Sequence, residues 1–263
     1  MADIPASALT AAANALMLAG RWADALALLD AARPSEAERS PLAVAAAGIA
    51  IEQDFWIITS VASRYLDAAS AAVADGQRWY LDFLILKRDY NEALHAMFSA
   101  PEPALPDPGA AAVLGSRARD LRATAPDEGG RAWAAFYAGL IEDLLRGDIS
   151  AAVPDYTSAR DLGEQAGDEL IVSYAVRHLG YAAARSGDRD AAWSAFERSL
   201  ELRQRAGCVP HVLAQYLALA EMAAENGDAP WARTVAALVR DWAATAGVGT
   251  RWLASSAAEI AKA

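Results

Sequence analysis

Apolar positions along this chain follow the period of an α-helix, and in the second half they also repeat at a constant step. Two dipeptides mark that step, and each occurs three times at forty-residue intervals: Gly147-Asp148, Gly187-Asp188 and Gly227-Asp228, and Ala166-Gly167, Ala206-Gly207 and Ala246-Gly247. A fixed period of this length is typical of stacked helix pairs rather than of one globular core. The sequence therefore predicts a helical repeat.

Residues 170–207 illustrate one unit of the repeat. A first helix is expected over about 170–186, where Gly187 supplies the positive φ that a helix end often needs. Asp188 is placed to cap the second helix, which should end near Ala206. Because Ala192 and Ser199 are small, the two helices of the unit are expected to approach closely.

The same unit resembles the tetratricopeptide (TPR) repeat through five features: Leu179-Gly180, Gly187-Asp188, Ala192, Phe196 and Ser199. Residues 20–34 and 89–100 match the turn and the second helix of that pattern more weakly. The resemblance implies an all-α fold, a right-handed α-solenoid of stacked antiparallel helix pairs with about 12–14 helices. The step is longer than the usual TPR unit, and Ala183 stands where the family has tyrosine. The longer step is similar to that of the TPR-like repeats that follow ATPase domains in some bacterial transcription regulators.

Helices are also expected before the repeat and after it. The apolar spacing predicts a helix pair over 7–33 that breaks at Gly20, a helix over 41–53, and a helix over 55–74 capped by Asp54. Asp89 is expected to open a further helix that closes near residue 100. The last helix, near 250–262, should cap the stack.

Two proline positions affect this assignment. Four prolines within 101–108 exclude regular structure and predict a boundary, which gives an N-terminal helical region 1–100, a linker 101–109 and C-terminal repeats 110–263. Pro154 lies six residues after Asp148, so the helix there is expected to begin late, near Asp155, or to be kinked.

Trp242 shares the register of Leu162 and Leu202 and is expected in the core.

Composition and charge limit the classes of partner that are expected for this chain. The formal net charge is −11, without a Lys/Arg-rich cluster, so nucleic acid and anionic membranes are not expected as partners. The single cysteine, Cys208, rules out an internal disulfide and suits the cytoplasm. Residues 1–7 have no basic region of the kind that begins a secretory signal, and no apolar run is long enough to span a membrane.

Motifs for chemistry are few. There is no phosphate-binding loop, and the three histidines, His95, His178 and His211, lie far apart in the sequence. Cys208 and His211 are three residues apart at a helix start, but as metal ligands they lack further partners. A small buried thiol is the favoured interpretation, and neither a metal nor a cofactor is expected.

One stripe of the first helix in the 170–207 unit stands out because it is aromatic and cationic in an acidic chain. Its members share one helix face at i, i+3, i+4, i+7 and i+11: Tyr174, Arg177, His178, Tyr181 and Arg185. The resemblance implies that first helices line the concave surface, and a shift of forty residues adds Tyr137 and Ile141. Such a groove would bind a peptide carboxylate or another anion. The alternative is that the arginines pair with acidic neighbours and the tyrosines pack in the core.

Three functions follow in order of preference. The first is a scaffold that binds a peptide or a partner protein in its concave groove. The second is a ligand-sensing regulatory module. The third is an enzyme that uses the Tyr/Arg/His cluster, with His178 as an acid–base group. An apolar face over residues 4–18 would also permit a homodimer.

Overall fold

The computed structural model describes residues 4–99, 105–248 and 251–262. Within these ranges the chain is helical and has no strand. Its thirteen α-helices are α1 (Ala6–Leu18), α2 (Trp22–Asp30), α3 (Glu36–Ile57), α4 (Ala62–Ala72), α5 (Arg78–Ser99), α6 (Pro108–Ala123), α7 (Glu128–Leu140), α8 (Ile149–Ala166), α9 (Glu169–Arg185), α10 (Arg189–Arg205), α11 (Val209–Glu225), α12 (Ala229–Ala246) and α13 (Arg251–Ile260). A short 3₁₀ turn (Asp75–Gln77) precedes α5, and a π-helical turn (Ile141–Leu145) follows α7.

Consecutive helices pack as pairs, and the predicted turns between them are confirmed. The glycines of both repeated dipeptides have positive φ: Gly147 (74°), Gly187 (88°), Gly227 (91°), Gly167 (68°), Gly207 (69°) and Gly247 (69°). Asp148, Asp188 and Asp228 each accept a hydrogen bond from the backbone N–H three residues on. These local signals fix where each helix begins and ends.

Two predicted boundaries in the first half are wrong. α3 runs on through Asp54 to Ile57, and α5 runs unbroken through Asp89. Asp54 nevertheless caps α4, because its carboxylate accepts from the backbone N–H of Ala62 at 2.8 Å across the loop. Asp89 accepts from Arg117 of α6 at 2.6 Å, so it ties neighbouring helices together instead of starting one.

The late start expected for the helix at Pro154 and the core position expected for Trp242 are also wrong, whereas a kink at Pro154 stays a prediction. α8 begins at Ile149, directly after Asp148, and includes Pro154. The carbonyl of Ser150 loses its bonding partner, but Ser150 is exposed and water can replace the lost bond. Trp242 is 45% exposed, because α12 is the last full helix and only the short α13 follows it.

The predicted linker lies partly outside the described residues, since 101–104 are not among them. On either side of it, Leu94 of α5 and Ala111 of α6 belong to the same buried cluster. The domain boundary stays a prediction. In the part of the chain that is described, no helix is long and apolar enough to cross a membrane.

The two ends of the helix stack meet. One buried cluster contains residues of α1, α2 and α3 together with residues of α11, α12 and α13. Gly20, between α1 and α2, lies so close to the C-terminal segment that a Cβ there would be 2.1 Å from Cγ1 of Val248. The ring of Trp56 in α3 packs edge-on against His211 in α11, with centroids 4.7 Å apart. The stack therefore closes on itself.

Gly20→Ala tests this closure. An alanine at φ 80° costs about 1–2 kcal/mol in backbone strain, and its methyl group also collides with Val248. Gly187→Ala is the matched control, since φ is 88° and no atom lies within 4 Å of its Cβ position. In urea unfolding, Gly20→Ala should lower the free energy of unfolding by about 1–3 kcal/mol more than Gly187→Ala does. Equal losses of stability in the two variants would mean that Gly20 and Val248 do not hold the two ends of the helix stack together.

Candidate functional site

Two of the five predicted stripe residues, Tyr174 and Arg177, form hydrogen bonds to the neighbouring first helix of the repeat, and Tyr181 bonds to Arg177. The Tyr174 hydroxyl lies 2.6 Å from Nε2 of His211 in α11. Arg177 donates to Oε1 of Gln215 at 2.9 Å and to the hydroxyl of Tyr181 at 2.7 Å. These side chains therefore connect α9 to α11, and most of their polar atoms are already occupied.

The other two stripe residues, His178 and Arg185, lie beside Asp143. Arg185 donates to Oδ1 of Asp143 at 3.2 Å, and the Tyr156 hydroxyl donates to Oδ2 at 3.1 Å. Nδ1 of His178 is 3.5 Å from Oδ2, which is too long for a strong hydrogen bond. Asp143 is a buried carboxylate on the π-helical turn, whereas the side chain of Arg185 is 57% exposed. The stripe thus divides between two polar clusters.

Electrostatics hold the pKa values of both Asp143 and His178 below their usual values. Burial alone would raise the pKa of Asp143, but His178, Tyr156 and Arg185 together outweigh it, and the pKa is lowered. Burial lowers the pKa of His178, and Arg177 adds to that effect. The cluster is therefore a carboxylate held in place by neighbours that are mainly hydrogen-bond donors.

Tyr137 and Ile141, predicted by the forty-residue shift, are buried in the core at 5% and 0% exposure. They are covered because α7 packs against α5, α6, α8 and α9. The repeat also changes register at this point. The N-caps Asp127 and Asp168 are forty-one residues apart, whereas Asp148 and Asp188 are forty apart. The π-helical turn between α7 and α8 holds the additional residue.

Close contacts between helices confirm the altered register. A Cβ on Gly180 would meet the ring of Phe196, and a Cβ on Gly139 would meet the ring of Tyr156. Gly139 is therefore the counterpart of Gly180, forty-one residues earlier. By the same shift the counterpart of Tyr174 is Trp133, and these two rings are in contact with centroids 5.5 Å apart.

A cavity of about 580 Å³ lies where the two ends of the stack meet. Helices α1, α2, α3, α5, α7, α9 and α11 all contribute to its wall. Seven rings are among its lining residues: Trp22, Trp56, Tyr80, Phe83, Trp133, Tyr174 and His211. Of the predicted site residues only Tyr174 lines it. The volume and the mainly apolar wall are typical of a site for a small molecule.

Besides the side chains of Thr10, Asn14 and Gln77, two linked polar groups interrupt this apolar wall. Lys87 of α5 donates to Glu52 of α3, and both side chains are largely buried. The second group is a chain of three residues, in which Cys208 Sγ lies 3.0 Å from Nδ1 of His211 and Nε2 of His211 lies beside the Tyr174 hydroxyl. A cavity with a few convergent polar groups can orient a ligand.

The three residues of this chain are uncharged. Burial raises the pKa of the Cys208 thiol to about 12, and the charge of Glu52 adds to that effect. Burial lowers the pKa of His211 well below its usual value, and Arg203 lowers it further. Burial also raises the pKa of Tyr174. A thiolate nucleophile is therefore not present at neutral pH.

Arg203, behind the cavity wall, is the residue that the sequence analysis missed. It is 1% exposed and donates only to neutral acceptors, the carbonyl of His211 at 3.0 Å and Gln215 Oε1 at 3.3 Å. A signal for it was present, because the same repeat position holds Gly163 and Ala243. A large charged residue therefore occupies a repeat position that is otherwise small and buried.

Among the described residues, no group of three His, Cys, Asp or Glu side chains could hold a metal ion. No family model matches this chain, and no curated protein is detectably similar to it. The site is therefore interpreted from its geometry.

Asp143→Asn tests the second cluster. The variant keeps the shape of the side chain but loses its charge, so at pH 7 the free energy of unfolding should fall by about 1–3 kcal/mol. Because the folded pKa is lowered, the contribution is present above the unfolded value of about 4 and disappears as pH falls through the folded value. The difference in the free energy of unfolding between Asp143→Asn and wild type should therefore become smaller below about pH 4.

Urea unfolding across pH measures this effect. Asp161→Asn is the control, since Asp161 forms a largely exposed pair with Arg160, and it should change stability by less than about 1 kcal/mol. A difference that persists unchanged at pH 3 would contradict an ionised Asp143.

Proposed function

We propose that this chain is a ligand-binding helical-repeat module whose site is the cavity between its N-terminal and C-terminal helices. The observation that carries the proposal is the ring-lined cavity of about 580 Å³, bordered by the Glu52–Lys87 pair and by Tyr174. A ligand there would contact both ends of the stack, so its binding would favour the closed arrangement. That is the behaviour expected of a regulatory sensor.

The finer description belongs to the same proposal. The helix pairs form a right-handed TPR-like superhelix, similar to the long-step repeats of some bacterial transcription regulators. The buried thiol of Cys208 suits the reducing cytoplasm.

Phenylnaphthylamine, a neutral dye that fluoresces in apolar surroundings, tests the cavity. Wild type should bind it with about one dye per chain and quench part of the tryptophan emission, since Trp22, Trp56 and Trp133 line the cavity. Ala45→Phe places a ring into the cavity and should weaken binding by about tenfold or more.

Ala71→Phe is the matched control, because Ala71 is an exposed residue of α4 outside the cavity wall. It should bind the dye as wild type does. Equal binding by wild type and a folded Ala45→Phe would contradict the proposal.

A scaffold that binds a peptide is the second candidate. It is supported by Arg185, whose side chain is 57% exposed although it reaches the buried Asp143. A peptide carboxylate could compete for this guanidinium. Arg177 is less available, because it already donates to Gln215 and Tyr181.

An array of peptides with acidic C-termini tests this candidate. Binding should fall about tenfold in Arg185→Gln and stay unchanged in Arg189→Gln, whose exposed side chain bonds to Asn226. Ala45→Phe should also leave peptide binding unchanged, which separates the two candidates. No bound peptide, or equal binding by both arginine variants, would argue against the scaffold.

A further inference from the structure

Positive charge is in excess behind the cavity wall. Arg177 and Arg203 both donate to the same atom, Oε1 of Gln215, at 2.9 Å and 3.3 Å. Among the described residues neither guanidinium forms an ion pair, and the guanidinium carbon of Arg203 lies 5.1 Å from the centroid of the Tyr174 ring. A buried positive charge without a partner is costly, and the cost falls if an anion binds nearby.

The ion pair in the wall does not cancel this excess. Glu52 and Lys87 neutralise each other, so neither pairs with the two arginines. Burial raises the pKa of Glu221 and the charge of Arg177 opposes that effect, so Arg177 has a carboxyl neighbour. Among the described residues, Arg203 is the guanidinium whose electrostatics involve no carboxylate. The ammonium group of Lys87 has three hydrogens and gives one to Glu52. Lys87 can therefore hold a second acceptor without losing the first.

The direction of the hydrogen bonds supplies another donor. Burial keeps the thiol of Cys208 protonated, and its proton has an acceptor in Nδ1 of His211, 3.0 Å away. In the tautomer that this bond allows, Nε2 of the neutral imidazole carries the hydrogen and donates to the Tyr174 oxygen, whereas in the other tautomer the Tyr174 hydroxyl donates to Nε2. A carboxylate inside the cavity would select the first tautomer, because that tautomer leaves the hydroxyl hydrogen of Tyr174 for it.

We infer that the cavity takes an apolar monocarboxylate, with its body among the aromatic rings and its carboxylate bound by Lys87 and Tyr174. This inference rests on the proposed function and adds the class of ligand. An amine of the same shape would meet Lys87 and the field of two arginines, and an alcohol would gain no attraction from them. A carboxylate is the head group that all these groups favour.

Three compounds of matched shape test the class: phenylbutyrate, phenylbutanol and phenylbutylamine. Titration calorimetry with the full chain should show that the acid binds about tenfold or more tightly than the alcohol, and that the amine binds most weakly. Tyr174→Phe keeps the ring and should weaken binding of the acid severalfold, and binding of the alcohol by less, because a hydrogen bond to a carboxylate is the stronger one. Tyr216→Phe is the control, because its exposed hydroxyl only accepts from Gln204.

Lys87→Met alone would leave Glu52 buried and unpaired, so the informative variant is Glu52→Gln with Lys87→Met. It should bind the alcohol as wild type does and lose most of the preference for the acid. Equal affinity of wild type for acid and alcohol, or an acid preference that survives in the folded double variant, would overturn the inference.

Failure of the inference and failure of the proposed function are distinguishable. If phenylnaphthylamine binds wild type but not Ala45→Phe, and the acid has no advantage, the cavity binds ligands of another class. If neither the dye nor any of the three compounds binds, both the ligand class and the cavity function are wrong.

Discussion

Gly20 lies against Val248 and Pro210, and Trp56 lies edge-on against His211. These contacts join the first helices of the chain to the last ones. A stack of helix pairs leaves an apolar face at each end, and here each end covers the other. The cavity exists because the two ends meet without filling all the space between them. Without this contact the seven rings of the cavity wall would line an open trough.

Local chemistry was enough to predict the repeat itself. The glycine at each turn needs positive φ, and the aspartate after it caps the next helix, so both signals act within a few residues. The errors in the helix boundaries occur at residues whose side chains bond to a partner far away in the sequence. Asp89 sits inside α5 because Arg117 of α6 holds its carboxylate, and Asp54 caps α4 from within α3. Neither bond has a signature in the adjacent sequence.

The candidate site was only partly predictable. The helix face of Tyr174, Arg177 and Tyr181 was recognised, because spacing along one helix fixes which side chains share a face. Tyr137 and Ile141 were expected in the same groove, but α7 is covered by α5, α6, α8 and α9, so both residues lie in the core. One additional residue in the π-helical turn also shifts α7 relative to the forty-residue repeat. The cavity wall draws on seven helices, so no periodicity along the chain could indicate it.

Burial determines the charge states of Cys208 and His211. Catalysis by Cys208 and His211 would need a thiolate or a histidine that titrates near neutral pH, and burial moves both pKa values away from that state. The same burial makes the uncharged chain from Cys208 to Tyr174 a fixed set of hydrogen bonds. Arg203 and Arg177 lie behind it, in a chain of net charge −11. In the proposal above, donors that are already fixed beside Arg203 would stabilise a bound carboxylate without having to rearrange.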